Sequence, residues 1–514
     1  MRVGYRLREN IPNSQGFFSA AKRSSLQEVV DLVSRRYVDP IDTDTLADDA
    51  IQAMLTHLDP HSVFIPAVHL GAVNEDLQGN FEGIGVEFLI INDTVNVTNV
   101  SAGGPSEKAG LKLGDKFLKV GDSLVAGNRI NGDKIKKLLR GEAGSKVAVT
   151  VLRQGRQVPA EITRGTIPLY SVDAAYLVDG STTGLIHVSR FSGTTYREFM
   201  FSLEKLQKQG MKSLILDLRG NGGGILNEAV NMVDEFLDED KLIVYTQGDK
   251  QERLDFKSKR PGLFEEGKLV ILVDEGSASA SEVIAGAIQD WDRGTIIGRR
   301  TFGKGLVQEQ YNLSNGAALR LTVARYYTPA GRSIQKSYSN GRAAYQDEVA
   351  ERFHSGEVIH PDTLNAVLGK PYKTKGGRTV YGGGGITPDV FVPFDTTSFT
   401  PAMGALFYDG KFTRFIYEYY MDRADYFNQF KTPLEFAKRY NDTTDAWERL
   451  TRFMSANNVS MDRIGEHDKT EIIKRIKTWM ARQIWRMQGY YEVNNQYDQA
   501  VLRALNEVAN GGKP

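Results

Sequence analysis

The chain of 514 residues contains no cysteine. This absence excludes thiol catalysis, disulfides and thiolate metal sites, and it is compatible with both reducing and oxidising compartments. Charge of one sign is not in excess either, because Lys plus Arg and Asp plus Glu both total 64. A dedicated nucleic-acid-binding protein usually shows a basic excess, so the balance argues against nucleic acid as a partner.

Long apolar runs are also missing. No stretch of about 18 consecutive apolar residues occurs, so the sequence predicts no membrane-spanning helix. The polar N-terminus lacks the apolar centre of a signal peptide. An export or anchor segment outside this sequence and a cytoplasmic origin are both compatible with that pattern.

The overall composition is that of a globular protein, with 41% apolar and 25% charged residues. The length suggests about three domains. Residues 1–24 are polar and aperiodic, which is typical of a flexible arm. Residues 25–78 carry apolar residues at helical spacing and predict two short amphipathic helices, ending near Asp39-Pro40 and Asp59-Pro60. Their apolar faces need a partner, either the main body or another subunit.

Residues 79–165 predict a small β-rich domain. Apolar residues alternate over Val86–Ile90, a turn follows at Asn92-Asp93, and the alternation resumes at Val95, as in a hairpin. A short helix is predicted after Pro105. Further strands and a second helix complete a domain of roughly 85 residues.

Residues 166–398 predict an α/β core. Apolar strands at 184–188, 213–218, 268–273 and 295–297 alternate with helical segments, which indicates some parallel strand pairing. Residues from about 337 to 376 are polar and are interpreted as an insertion. Residues 399–514 predict a helical, aromatic-rich C-terminal region, with dimerisation or partner docking as candidate roles and ordinary core packing as the alternative.

Ser279 lies where a predicted strand turns into a helix, within Gly276-Ser277-Ala278-Ser279-Ala280. The first backbone N–H groups of a helix lack partners and favour negative charge, which suits a tetrahedral oxyanion. The alternative is an ordinary helix N-cap in a turn of small residues.

A serine nucleophile needs a base, and the seven histidines supply few candidates. Six lie outside the α/β tract, and His187 lies mid-strand, where a core histidine is the expected interpretation. Lys304 lies between glycines at a strand end. In an apolar pocket its pKa would fall, and it could then accept a proton from serine, whereas the default interpretation is a surface lysine.

Two other motifs bear on binding sites. The loop Arg219–Gly224 is glycine-rich and lies between a strand and a helix, where it could donate N–H groups to phosphate or to an oxyanion. It lacks the spacing of a dinucleotide or P-loop motif. His57-Leu58-Asp59-Pro60-His61 could suggest a metal, but Asp-Pro interrupts the helix that would align the imidazoles, so a structural turn is predicted.

Taken together, four ordered motifs resemble those of the C-terminal processing (tail-specific) protease family over about residues 25–395. They are Gly276–Glu282, Thr301–Gly305, Asp217–Arg219 with its glycines, and Tyr327–Ile334. The resemblance implies a Ser–Lys serine endopeptidase with an α/β protease core, similar to the enoyl-CoA hydratase and ClpP fold, and an inserted PDZ domain. It implies no metal and no cofactor.

The resemblance assigns roles by position. Ser279 corresponds to the nucleophile, Lys304 to the base 25 positions later and Gln308 to the residue that orients the lysine. The oxyanion donors correspond to the N–H groups of Ala280 and of one glycine among Gly222–Gly224, with Gly224 favoured. Gly222 stands where the family commonly has proline.

The domain 79–165 resembles the PDZ domain of the family. Gly83, Ile84, Gly85 and Val86 correspond to the loop that binds the terminal carboxylate of a peptide, although a plain hairpin start would look the same. Arg164 occupies the position of an activation sensor that couples tail binding to the catalytic pair.

Partners and location follow from the resemblance as expectations. Substrates are expected to be proteins with apolar C-terminal tails, with an adaptor protein as a candidate partner and a homodimer as the assembly. The expected location is the periplasm or cell envelope. Two rival interpretations are an inert PDZ-bearing scaffold and an enzyme acting on acyl-CoA.

Overall fold

The structure is a computed structural model that describes residues 25–360 and 369–510. The chain divides after Leu58 into two compact units. The first unit contains helices α1 (Ser25–Arg36) and α2 (Thr43–Leu55). The sequence predicted that the second helix continues to Asp59-Pro60, whereas α2 ends at Leu55. The Thr56 hydroxyl donates to the Ala53 carbonyl oxygen at 2.6 Å, and such side-chain hydrogen bonds compete with continuation of a helix.

The second unit begins with a strand and a helix that the sequence did not resolve, β1 (Val63–Ile65) and α3 (Ala67–Gln78). The β-rich domain follows. Its elements are β2 (Asn80–Gly83), β3 (Val86–Ile91), β4 (Thr94–Val100), α4 (Pro105–Lys108), β5 (Lys116–Val120), β6 (Ser123–Leu124), α5 (Gly132–Leu139), β7 (Lys146–Arg153), β8 (Arg156–Thr163) and β9 (Gly165–Pro168). The predicted hairpin and both predicted helices of this domain are confirmed.

The β-rich domain is built on one antiparallel sheet in the order β3-β4-β5-β7-β8, with β6 on β5. Strands β2 and β9 pair beside it. The strand β3 is therefore an edge of its sheet, so one row of its backbone groups is available to another strand.

The α/β core contains the remaining strands. Its elements are β10 (Val172–Leu177), β11 (Thr183–Val188), α6 (Thr195–Lys208), β12 (Ser213–Asp217), α7 (Leu226–Asp234), β13 (Leu242–Gln247), β14 (Leu254–Lys257), β15 (Lys268–Val273), α8 (Ala280–Asp290), β16 (Thr295–Gly298), β17 (Leu306–Asn312), β18 (Ala318–Tyr327), α9 (Gly341–His354), β19 (Pro371–Lys373), β20 (Thr379–Tyr381) and β21 (Val390–Phe391).

The central sheet of this core has the order β10-β11-β12-β15-β16-β21. All its pairs are parallel except β10 with β11, so the predicted parallel pairing is confirmed. A second, antiparallel sheet has the order β1-β18-β13-β14, with β17 on β18. The predicted insertion contains α9 and the strand β19 of a small hairpin.

The C-terminal region contains two short 3-10 helices and the helices α10 (Gly404–Phe407), α11 (Lys411–Asp422), α12 (Ala424–Phe427), α13 (Pro433–Arg439), α14 (Thr443–Ala456), α15 (Glu466–Asn494) and α16 (Gln499–Asn510). The helices α10 to α15 bury an aromatic core of their own. No helix among the described residues is both long and apolar enough to cross a membrane.

The strands of the central sheet are buried on both faces. Side chains alternate along a strand, so Leu214 and Leu216 of β12 pack with α6, α7 and α8, whereas Ile215 faces the opposite side. There it meets Val501 and Ala504 of α16. The last helix is thus packed on the protease core, as the core-packing alternative predicted, and the dimerisation or docking roles considered for this region stay predictions. The comparison of the core with the enoyl-CoA hydratase and ClpP fold stays a prediction.

Candidate active site

Three loops meet at one edge of the central sheet. The strands β12, β15 and β16 are neighbours and run parallel, and the carboxyl ends of parallel strands lie at the same edge of a sheet. The loop after β12 contains Gly220 and Gly222–Gly224, the loop after β15 contains Ser279, and the segment after β16 contains Lys304. The topology therefore brings together the three motifs that are far apart in sequence.

Ser279 lies directly before α8 and has a positive φ of 56° with ψ of −112°. Non-glycine residues rarely adopt this backbone conformation, and such strain is found at functional sites. The backbone of Gly223 packs against it, since a Cβ at Gly223 would lie 2.7 Å from the Ser279 Cβ. Any larger residue at 223 would displace the serine.

Glu282 is the residue that ties the serine loop to the lysine loop. Its side chain is fully buried, and its Oε2 accepts the backbone N–H of Ser279 and that of Lys304, each at 2.8 Å. The two nitrogens are therefore no farther apart than twice this distance. The Oε1 atom accepts the Thr301 hydroxyl at 2.5 Å and the Gly303 N–H at 2.8 Å.

A second bridge uses the same two residues. The buried hydroxyl of Tyr326 lies 3.0 Å from the carbonyl oxygen of Ser279 and also contacts that of Lys304. Neither Glu282 nor Tyr326 was among the predicted site residues. The capping pattern of a serine followed three residues later by glutamate was a signal for Glu282, whereas nothing local pointed to Tyr326.

The pKa of Lys304 is lowered, first by burial and then by the positive charge of Arg320, while Glu282 and Asp59 oppose the shift. Burial disfavours the charged ammonium. A larger fraction of Lys304 is therefore neutral at a given pH than for an exposed lysine.

Replacing Arg320 with glutamine tests the electrostatic part of this shift. Because the Arg320 charge disfavours protonated Lys304, its removal raises the Lys304 pKa, and the rise of kcat/KM with pH is expected to move to higher pH. The measurement is a pH–rate profile on a peptide substrate. Arg325→Gln, on the same strand but exposed, is the control and should leave the profile in place. An unmoved profile in the Arg320 variant would show that burial alone sets the pKa.

The glycine loop supplies N–H groups beside Ser279. The N–H of Gly223 donates to Asn221 Oδ1 at 2.9 Å. Within residues 25–360 and 369–510, the N–H groups of Ala280 and Gly224 donate to no protein acceptor. These two groups are the ones that the sequence analysis named as oxyanion donors, and their role stays a prediction.

Gln308 lies on β17, one residue after an irregularity in its pairing with β18. Its amide nitrogen is buried and makes no hydrogen bond in the described part of the chain. A buried amide without a partner is unusual and points to a group that binds something else. Its proposed contact with Lys304 stays a prediction.

The loop Gly83–Val86 connects β2 to the edge strand β3. Gly85 has φ of 72°, and a Cβ there would lie 2.9 Å from Ile167. Glycine thus suits both the turn and the close packing.

Arg164 binds within the same domain as that loop. Its guanidinium donates to the carbonyl oxygens of Leu138 and Leu139, each at 3.0 Å, at the end of α5. This caps the helix C-terminus. Its role as an activation sensor stays a prediction.

The motif His57–His61 and the residue His187 have structural explanations. Asp59 accepts the N–H groups of His61 at 2.8 Å and Ser62 at 3.0 Å, so the predicted turn is confirmed. His187 is buried on β11 and stacks on Tyr491 with ring centroids 4.0 Å apart, which confirms its core position, but among the described residues its Nδ1 has no hydrogen-bond partner, so the prediction of a satisfied histidine is not confirmed. Among the described residues, no three His, Asp or Glu side chains could hold a metal ion.

Comparison with known proteins matches these parts to families. Residues 182–341 match peptidase family S41, and residues 83–163 match the PDZ domain. Residues 403–486 match a family of unknown function.

Curated relatives extend over more of the chain. A carboxy-terminal-processing protease of Bartonella bacilliformis is 36% identical over 358 residues, which are 68% of this chain and 81% of that protein. A probable CtpA-like serine protease of Staphylococcus epidermidis is 34% identical over 316 residues, 61% of this chain and 63% of that protein. Among solved structures, the photosystem II D1 C-terminal processing protease is 28% identical with a TM-score of 0.38, covering 73% of this chain and 87% of that one.

The sequence matches define a serine protease that carries a PDZ domain. The chain belongs to the family of the carboxy-terminal-processing proteases, peptidase family S41.

Proposed function

We propose that the protein is a Ser–Lys endopeptidase that recognises the C-terminal tail of its protein substrates. The neutral amine of Lys304 takes the proton of the Ser279 hydroxyl as the oxygen attacks a peptide carbonyl. The tetrahedral oxyanion accepts hydrogen bonds from the N–H groups of Ala280 and Gly224. The Lys304 ammonium then protonates the leaving amine, and water hydrolyses the acyl-enzyme with Lys304 again as base.

The observation that carries this proposal is the single Glu282 carboxylate oxygen that accepts both the Ser279 and the Lys304 N–H. This oxygen keeps the Ser279 and Lys304 backbones close together. Burial lowers the pKa of the Lys304 amine, which favours its neutral form. In this proposal Gln308, whose amide nitrogen has no hydrogen-bond partner among the described residues, orients the lysine amine through its amide oxygen, which can accept an amine N–H.

Tail recognition is supported by the PDZ domain. A peptide tail would add as a strand to the edge strand β3, with its carboxylate on the N–H groups of Gly83–Val86. Such binding would be specific for the terminal carboxylate and for apolar side chains of the tail.

Location and assembly are part of the proposal. We place the protein in the periplasm or cell envelope, as a homodimer that acts alone or with an adaptor, on the basis of the family to which it belongs.

The test compares an unstructured protein that has an apolar C-terminal tail with the same protein amidated at its C-terminus. Amidation removes a charged acceptor, and hydrogen bonds to charged groups contribute about 1.5–3 kcal/mol. We expect KM to rise roughly 10- to 100-fold with kcat little changed. The measurement is initial cleavage rate against substrate concentration.

Ser279→Ala is the control, since it should cleave neither form. Equal KM values for the two forms would contradict tail recognition while leaving the protease intact. If the wild type cleaves nothing and a serine-directed probe leaves Ser279 unlabelled, the chain is instead an inert PDZ scaffold.

A further inference from the structure

The helix α15 of the C-terminal region touches both of the proposed functional parts. Its first half packs Ile472, Ile476 and Met480 into the aromatic core of that region. It then breaks at Trp485 and Arg486, where Arg486 has φ of 62° and ψ of −150°. This rare conformation for a non-glycine residue lies where the helix meets the PDZ domain.

Near this break in α15, two polar contacts connect the helix to the sheet of the PDZ domain. Arg486 forms an ion pair with Glu87, and the side-chain amide of Gln483 donates to the Thr98 carbonyl oxygen at 3.1 Å. Glu87 belongs to the edge strand β3, and Thr98 belongs to its neighbour β4. Close by, the Met421 methyl group packs on Gly114.

The ion pair with Arg486 is made on the outer face of β3, through a side chain and not through the backbone edge of the strand. Val86 and Phe88, on either side of Glu87, pack against the PDZ core, and adjacent side chains of a strand point to opposite faces. Arg486 thus contacts the outer face of β3, whereas a peptide tail would form hydrogen bonds with the backbone edge of the same strand. Both can act on one strand at once.

The second half of α15 is attached to the protease core. Gln488 Oε1 accepts the N–H of Ala175 at 2.9 Å, on the edge strand β10. The Tyr176 hydroxyl donates to the Tyr491 carbonyl oxygen at 3.3 Å, and Tyr491 stacks on His187. These contacts fix the end of α15 against the central sheet.

The turn after α15 reaches the active-site edge. Both carboxylate oxygens of Asp498 accept from Arg219 Nη1 at 2.9 Å. The rest of the Arg219 guanidinium binds Asp217, at 2.9 and 2.6 Å. Arg219 immediately precedes Gly220, whose N–H donates to Asp274 Oδ1 at 2.8 Å beside the serine loop.

We propose that α15 and Asp498 form a positioning element for proteolysis, in which Arg486 holds the tail-binding strand β3 and Asp498 holds Arg219 and the glycine loop that follows it. The inference rests on the proposed function, because it assigns separate effects to tail binding and to catalysis. Arg486 and Asp498 are positioning residues that do not touch the substrate.

The PDZ end is tested by charge reversal in the full-length protein. Arg486→Glu should raise KM for the tailed substrate about 10-fold and leave the amidated substrate unaffected. Adding Glu87→Arg restores the opposite charges and should bring KM back to within about threefold. Arginine and glutamate are equally strained at the positive φ of position 486. The double variant therefore separates the effect of the charge pair from the effect of backbone strain.

The control exchanges the charges of Lys146 and Glu161, an exposed PDZ pair 2.7 Å apart. This exchange should leave KM unchanged. The inference is overturned at this end if Arg486→Glu binds the tailed substrate like the wild type, or if the double variant is as weak as the single one.

The core end is tested by Asp498→Asn, which removes the charge that Arg219 contacts. We expect kcat to fall about 10-fold for tailed and amidated substrates alike, with KM within about threefold, because the oxyanion loop loses its alignment. Asp498→Glu should recover part of kcat. Asp395→Asn is the control, because within the described part of the chain the Asp395 carboxylate accepts hydrogen bonds from the neighbouring Thr397 and Ser398 alone.

An unchanged kcat in Asp498→Asn would overturn the core end of the proposal. A loss that Asp498→Glu does not reduce at all, together with a lowered melting temperature, would also overturn it and leave a purely structural ion pair. Neither result affects the proposed function, which is tested separately by the Ser279→Ala and Lys304→Arg variants and by amidation of the substrate tail.

Discussion

Lys304→Arg is expected to reduce kcat/KM at pH 7 by about 10³-fold or more, close to the level of Ser279→Ala. The guanidinium keeps the positive charge but cannot lose its proton in this range, so it cannot serve as the base. The pH dependence of kcat/KM is also expected to differ between the two proteins. The wild type should gain activity as pH rises and Lys304 deprotonates below the ordinary lysine pKa, whereas the arginine variant should show no such rise from this group.

The matched control is Lys257→Arg, an exposed lysine that pairs with Asp240 at 2.8 Å. It should behave as the wild type. Circular dichroism melting would show whether Lys304→Arg remains folded. Substantial activity of a folded Lys304→Arg protein at neutral pH would refute the Ser–Lys pair and direct attention to another base.

Glu282→Gln has the second largest expected effect. The Glu282 carboxylate accepts four hydrogen bonds, and the donors belong to Ser279, Thr301, Gly303 and Lys304. A glutamine places an NH₂ group against two of them, which leaves buried donors facing a donor. We expect a loss of about 3 kcal/mol in the free energy of unfolding and at least about 100-fold in kcat/KM, because the serine and lysine loops separate.

The comparison variant for this experiment is Glu275→Gln. Glu275 also lies after β15 and pairs with Arg299 at 2.7 Å, but at a partly exposed position. Its replacement should leave kcat/KM within about threefold. The measurements are denaturant unfolding and peptide cleavage, and full activity of Glu282→Gln would show that the bridge is dispensable.

Periodicity predicted most of the fold. The strands at 213–218 and 268–273 were visible as apolar runs with β-branched residues, and the PDZ hairpin was visible from its alternation and its Asn92-Asp93 turn. The strands β1 and β14 were not predicted, and three and four residues are too few to show a period. The longer strands β13, β17 and β18 of the second sheet were not predicted either. The end of α2 was predicted too late, because Pro60 marks only the residue before it and the hydrogen bond from the Thr56 hydroxyl to the Ala53 carbonyl oxygen is not visible in the sequence.

The candidate site was predicted in part. Ser279 and Lys304 were named from local chemistry and family motifs, since a serine before a helix and a lysine between glycines are short-range features. Glu282, Tyr326 and Asp498 were not named. Each acts on residues that the fold brings close, such as Asp498 on Arg219 across 279 positions in sequence.

The sequence by itself determined many of the helices and strands, the PDZ and protease segments and the absence of thiol chemistry, and it supplied Ser279 and Lys304 as the candidate serine and lysine. Those properties depend on side-chain type and local spacing. Only the tertiary structure decided that one buried carboxylate joins the serine and lysine loops, and that the C-terminal helices cover the core sheet and reach the PDZ strand. The order of strands in a sheet sets these contacts, and strand order follows from packing of the whole chain and not from neighbouring residues.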